Sequence, residues 1–103
     1  MASASRPMVR LERSLTRENL WLYILSILSR KRMHGYAINE EIVKRFGWKP
    51  GLITPYVVMY KLEEDKLIKS RSHGRRVLYE ITPVGKNELK AAKVYITDIS
   101  KKL

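Results

Sequence analysis

The sequence predicts a mainly α-helical fold, a winged helix-turn-helix of three helices plus a two-stranded hairpin wing, with a C-terminal dimerisation helix. Three observations predict it. Helical periodicity runs in three segments from Thr16 to Lys66, broken by glycine and proline. Between Ile68 and Thr82 the period becomes alternating, around a glycine turn. A Thr-Pro pair then starts a last helical pattern. The chain divides into a basic arm at 1–15, a winged-helix domain at 16–82 and a terminal helix at 83–103.

The arm has little periodicity and is expected to be flexible, with a short helical piece near Met8 to Leu15. Thr16 is placed to cap the first core helix. The run from Leu20 to Leu28 is apolar on every side, which marks a helix buried all round. A domain this small can hardly cover it alone, so a second subunit is expected to. His34-Gly35 reads as a turn, and a second helix spans Tyr36 to Arg45. Its apolar side is Tyr36, Ile38, Ile42, Val43 and Phe46, and Gly47 is its C-cap. After the turn Trp48-Lys49-Pro50-Gly51, Thr54 is the expected N-cap of a third helix that runs to Lys66, with Pro55 at the first helical position.

Ile68 to Ser72 and Val77 to Thr82 read as strands joined at Ser72-His73-Gly74-Arg75. Thr82-Pro83 opens a helix to about Lys102. Leu89, Ala92, Ile96, Ile99 and Leu103 step along it by three and four, a short heptad-like seam. With Leu20, Trp21 and Ile24 of the first helix, these are the expected dimer-interface residues.

Charge bounds the partners. Twenty-one Lys and Arg against ten Asp and Glu leave +11 in 103 residues. Such an excess suits a polyanion, because phosphate contacts release counterions. Without cysteine the chain has no disulfide, thiolate metal site or cysteine nucleophile. No paired carboxylates, phosphate-binding glycine loop or metal-ligand spacing appears. An enzyme, a cofactor and a metal are therefore not expected. The two histidines, His34 and His73, are distant in sequence and both sit at turns. No apolar run is long enough to span a bilayer and the N-terminus is not a signal peptide, so a cytoplasmic location without membrane contact is expected.

In this architecture the third helix enters the major groove and the hairpin touches flanking backbone. With Ile53, Tyr56, Met59, Leu62 and Leu67 toward the core, the opposite face carries Thr54, Val58, Lys61 and Asp65. Thr54 and Lys61 can donate hydrogen bonds, and Val57 and Val58 can touch thymine methyls. Glu63-Glu64-Asp65 lies at the far end, either aimed away from DNA or simply a solvated helix end. At the hairpin tip, His73, Arg75 and Arg76 suit phosphate or minor-groove contact, and Lys49 is a weaker candidate. Trp21 and Trp48 read as core or interface anchors, and an interfacial Trp21 can also line a ligand pocket.

The stretch from Leu25 to Gly85 resembles the PadR family of bacterial and archaeal regulators. The matching residues are Ile27-Leu28-Ser29, Met33-His34-Gly35-Tyr36 with Ile38, and Phe46-Gly47-Trp48. They continue with Thr54, Tyr56, Leu62-Glu63, Leu67-Ile68 and Tyr79-Glu80-Ile81-Thr82-Pro83 with Gly85. The chain departs at one place, where Pro55 precedes Tyr56 and Val57 stands where the family has proline. The resemblance implies a homodimer through the terminal helices that binds double-stranded DNA. It also implies repression, often relieved by a small apolar effector at the dimer interface. The leading expectation is a sequence-specific, homodimeric repressor. A low-specificity architectural DNA binder has similar charge, and a protein-interaction module that keeps the fold is a third reading.

Overall fold

The computed structural model describes residues 5–103; the first four residues of the expected arm lie outside them. The order is α1 (Arg6–Ser14), a 3-10 turn (Arg17–Asn19), α2 (Leu20–Leu28), β1 (Met33–His34), α3 (Gly35–Phe46), α4 (Thr54–Glu64), β2 (Ile68–His73), β3 (Arg76–Ile81) and α5 (Pro83–Lys102).

The arm forms a helix over Arg6–Ser14, starting two residues before the helical piece expected near Met8 to Leu15. Ser5 caps α1 by accepting from the Met8 amide at 3.3 Å, and Pro7 sits in the first turn, where a missing N–H costs nothing. Thr16 does not cap the next helix. Its hydroxyl turns back and donates to the Glu12 carbonyl at 2.6 Å. Asn19 Nδ2 likewise donates to the Ser14 carbonyl at 2.5 Å, and the Tyr23 hydroxyl donates to the Leu15 carbonyl. Burial raises the Tyr23 phenol pKa. These bonds satisfy carbonyls at the end of α1 and tie it to α2.

α2 is the axis of the core. Ile24, Leu25 and Ile27 are fully buried, packed with Ile38 and Ile42 of α3, Met59 and Leu62 of α4, Ile68 and Ile81 of the sheet, and Leu89 of α5. Leu20, Ile24, Leu25, Ile27 and Leu28 of the apolar helix are therefore covered by their own chain, while Trp21, Leu22 and Tyr23 keep partial exposure. Leu20 at 3% and Ile24 at 0% exposure belong to this core, and so does Leu89, so none of the three has surface left for a partner. Trp21 and Ala92 are half-buried, whereas Ile96, Ile99 and Leu103 are exposed.

The wing carries one strand more than expected. The antiparallel order is β1-β3-β2, with Met33 opposite Tyr79 and His34 opposite Leu78. β2 and β3 pair from Ile68–Ile81 to His73–Arg76, leaving Gly74-Arg75 as the turn. On α3, Ile38 and Ile42 face the core, but Tyr36, Val43 and Phe46 are exposed, so its apolar side is narrower than expected. Gly47 ends α3 at φ 78°, a left-handed position where a Cβ is disfavoured.

α4 ends two residues earlier than expected, in a Schellman motif. The Leu67 amide donates to the Leu62 carbonyl at 2.9 Å and the Lys66 amide to Glu63 at 3.0 Å, with Lys66 left-handed at φ 63°. Thr82 locks that corner to α5. Its hydroxyl donates to the Lys66 carbonyl at 2.7 Å and accepts from the Gly85 amide at 3.0 Å, capping α5 as expected. Its own amide donates to the Leu67 carbonyl at 3.1 Å. Gly85 lies so close that a Cβ there would sit 2.1 Å from the Leu67 carbonyl oxygen and 2.8 Å from Ile81 Cγ1.

Two substitutions at this corner should act in opposite directions. Gly85→Ala forces backbone apart and should cost about 3 kcal/mol in urea unfolding. Lys66→Gly relieves the left-handed Cβ and should stabilise by about 1 kcal/mol.

Candidate nucleic-acid interface

The surface is built on how α3 and α4 meet. At the start of α3, Gly35 is buried beneath the Tyr56 ring, and a Cβ there would approach Tyr56 Cε1 to 2.6 Å. The Tyr56 ring thus fills the space that a side chain at Gly35 would take. Two contacts hold the loop between them. Asn39 Nδ2 donates to the Gly51 carbonyl at 2.9 Å, and Trp48 packs edge-on against Tyr23 with centroids 5.1 Å apart. Trp48 is thus a structural anchor, with Pro50 buried beside it in sequence. The loop presents Lys49, Leu52 and Ile53 to solvent.

α4 begins at Thr54, so Ile53 and not Thr54 occupies the N-cap position, and no side chain caps the helix. Thr54 is exposed, its hydroxyl on the open first turn. Pro55, Met59 and Leu62 are the buried side. At 3.6 residues per turn the opposite face is Val57, Tyr60, Lys61 and Glu64, all exposed. This rotates the expected face. Ile53 is 76% exposed and Tyr56 is also exposed, although both were assigned to the core side. Val58 is half-buried against the core. With Trp21, Leu62 and Leu67 it lines an open cleft of about 450 Å³, edged by Glu18, Lys61, Asp65 and Glu88. Lys61 stands at the border of this cleft and the outward face.

The acidic end of α4 is only partly solvated. Glu64 and Asp65 are exposed, but Glu63 is half-buried and accepts from the Ser70 hydroxyl at 2.7 Å, fixing α4 to β2. Burial, with Glu63 and Tyr56 adding to it, pushes the nearby Tyr79 phenol pKa up. The first turn of α4 contains no acid, so its dipole leaves positive potential at that end.

At the wing, His73, Gly74, Arg75 and Arg76 are all exposed. The structure brings His73 against His34, which sequence separation had kept apart. His34 Nε2 and His73 Nδ1 are 3.1 Å apart and the rings stack with centroids at 5.3 Å. Strand β1 makes the juxtaposition, because its pairing with β3 lays His34 beside the hairpin. Among the described residues no third His, Cys, Asp or Glu joins them as a metal-binding group. Tyr36 and Tyr60 are further exposed aromatics of this helix pair that sequence reasoning missed. The signal for Tyr60 was its place three residues after Val57, one turn along the same face.

The wider charge pattern suits the surface. Lys102–Asp98, at 3.1 Å on the exposed tip of α5, is the one ion pair among the described residues. The cations of the α3–α4 loop, α4 and the wing are thus not neutralised by carboxylates. No described helix is long and apolar enough to cross a membrane.

A three-helix core, a β-wing and an outward-facing α4 define a winged helix-turn-helix of the transcription-regulator class. The chain belongs to the PadR-like family of transcriptional regulators, which it matches over residues 24–91. Its fold is similar to that of a transcriptional regulator from Clostridium thermocellum, 28% identical over 86% of this chain and 92% of that one, with a TM-score of 0.75. A PadR family regulator from Clostridium difficile R20291 is 30% identical over 80% of this chain and 91% of its own, with a TM-score of 0.69. Bacillus subtilis PadR in complex with operator DNA shares the fold at 24% identity and a TM-score of 0.68, over 77% of this chain and 49% of that one. No curated protein sequence matches significantly.

The histidine pair gives a pH dependence of definite sign. Burial first, then Arg76 and His73, lower the His34 pKa below the usual imidazole value of about 6.5. Below that value the unfolded chain takes up a proton that the folded chain resists. Stability present above about pH 6.5 is lost as pH falls through the folded value. Solvent near the ring keeps the effect small. The thermal midpoint of the wild type should fall more between pH 7.5 and 5.5 than that of His34→Asn. Parallel curves would contradict this.

Proposed function

We propose that the chain is a homodimeric repressor that binds double-stranded DNA sequence-specifically. The outward face of α4 lies in the major groove and the wing tip on the flanking backbone. The observation that carries this reading is the placement of cations. Lys49 before α4, Lys61 on it, and Arg75 and Arg76 at the turn of the wing are exposed around an α4 start that lacks acids. Thr54 on the open first turn adds a donor, and His73 joins the wing contact. The family match and the operator-bound Bacillus subtilis structure of the same fold support duplex binding.

Apolar surface left over by the monomer supports the dimer. Met8, Val9, Leu11 and Leu15 of the α1 segment and Ile96, Ile99 and Leu103 of the α5 end are exposed. The buried residues of α5 stop at Leu89, so its last three turns offer a face to a second copy. Ala92 and Trp21, both half-buried, border that face. A small apolar effector is placed beside Trp21, whose cleft shares its wall with α4 and can couple occupancy to the reading helix.

Removal of Lys61, Arg75 and Arg76 together by alanine substitution should lower duplex affinity at least tenfold at about 150 mM salt. The slope of log affinity against log salt should flatten by about one per lost phosphate contact. Unchanged binding by a folded triple variant would show that the surface is misplaced.

A further inference from the structure

On the duplex-binding reading above, we infer that α4 discriminates bases through thymine C5 methyl groups, with Ile53 and Val57 as the specificity-determining residues. A side chain in the major groove can read hydrogen-bonding edges or the thymine methyl. The hydrogen-bonding option is thin here. From Thr54 to Glu64, α4 contains no Arg, Asn or Gln, so Lys61 is its one side chain of the kind that makes bidentate contacts to guanine or adenine. Thr54 offers a single hydroxyl, Lys61 stands at the edge of the outward face beside the Trp21 cleft, and Glu63 is engaged by Ser70.

What α4 and its entrance do present is apolar. Leu52 is 68% exposed, Ile53 76% and Val57 47%, with Tyr60 at 65% on the next turn. A contiguous apolar face on a chain of net charge +11 needs a partner that is apolar at the contact and anionic around it. Lys49 and Lys61 flank the patch, so a methyl-lined groove between phosphates fits, and a plain apolar protein surface does not. The face is also rigid. Asn39 and Trp48 hold the loop, and buried Pro55, Met59 and Leu62 fix the inner side of α4. Ile53 and Val57 are β-branched and stiff at χ1, so little side-chain freedom is lost on contact.

The test compares an alternating A·T duplex with the same duplex carrying uracil for every thymine, which removes only the C5 methyls. Wild-type protein should bind the uracil duplex more weakly, by about fourfold for each methyl contacted. The Ile53→Ala/Val57→Ala variant should bind both duplexes equally while keeping the wild-type thermal midpoint, since both residues are exposed. Equal wild-type affinity for the two duplexes overturns the inference and leaves duplex binding standing. A uracil penalty that persists in the variant overturns the assignment to Ile53 and Val57. Failure to bind either duplex overturns the inference together with the duplex-binding reading.

Discussion

Thr82 joins three parts of the molecule that must keep fixed relative positions. Its hydroxyl and amide reach the carbonyls of Lys66 and Leu67, where α4 ends, while its hydroxyl also receives the Gly85 amide, where α5 begins. Thr82 itself follows the last residue of β3. The end of α4, the return of the wing and the start of the terminal helix therefore meet at one residue. Gly85 makes this geometry attainable, because any side chain there would collide with the Leu67 carbonyl. The bonds hold polar groups that would otherwise be left without partners at two helix ends. The orientation of α4 relative to the wing, and of both relative to α5, depends on this corner.

The second constraint is the core around α2. A nine-residue helix that is apolar on all sides can be buried only if every neighbouring element contributes to covering it. α3, α4, the sheet and the first turns of α5 do so, with Ile24, Leu25 and Ile27 at full burial. The consequence is functional as well as structural. Because the monomer satisfies its own core, the apolar residues still exposed include one group on α1 and the end of α5 and another at the start of α4. The first is suited to a second copy of the chain and the second to the groove of a duplex. The same covering leaves α4 fixed at its inner face, so its outer face is presented on a stiff support.

Element order was legible because it rests on local signals. The period change at Ile68, the Thr82-Pro83 start and the Gly47 stop each depend on neighbouring residues only. What was not legible depended on distant partners. Two-residue strand β1 has no periodicity of its own and exists because β3 offers it an edge, so the meeting of His34 and His73 could not be seen. The face of α4 was read one step off because Ile53 and Tyr56 look like core residues by composition. In fact buried Pro55 sets the inner side, and Tyr56 lies over Gly35 at the α3 junction. Leu20, Ile24 and Leu89 were assigned to a subunit interface on the argument that one small chain could not cover α2. The packing of β3 and α5 on it was not visible in the sequence. Lys61, Arg75 and Arg76 were found at exposed positions because turn chemistry and charge place them without tertiary information.

The central claim is that a two-fold pair of these chains reads a defined DNA sequence with α4 and the wing. Selection of bound duplexes from a random pool at about 150 mM salt tests it most directly. The account predicts enrichment of a palindrome whose half-sites are separated by about one helical turn and contain A·T pairs where α4 lies. A pool that returns bound yet unenriched, with no symmetry, would contradict sequence-specific reading by a dimer and favour a low-specificity architectural binder.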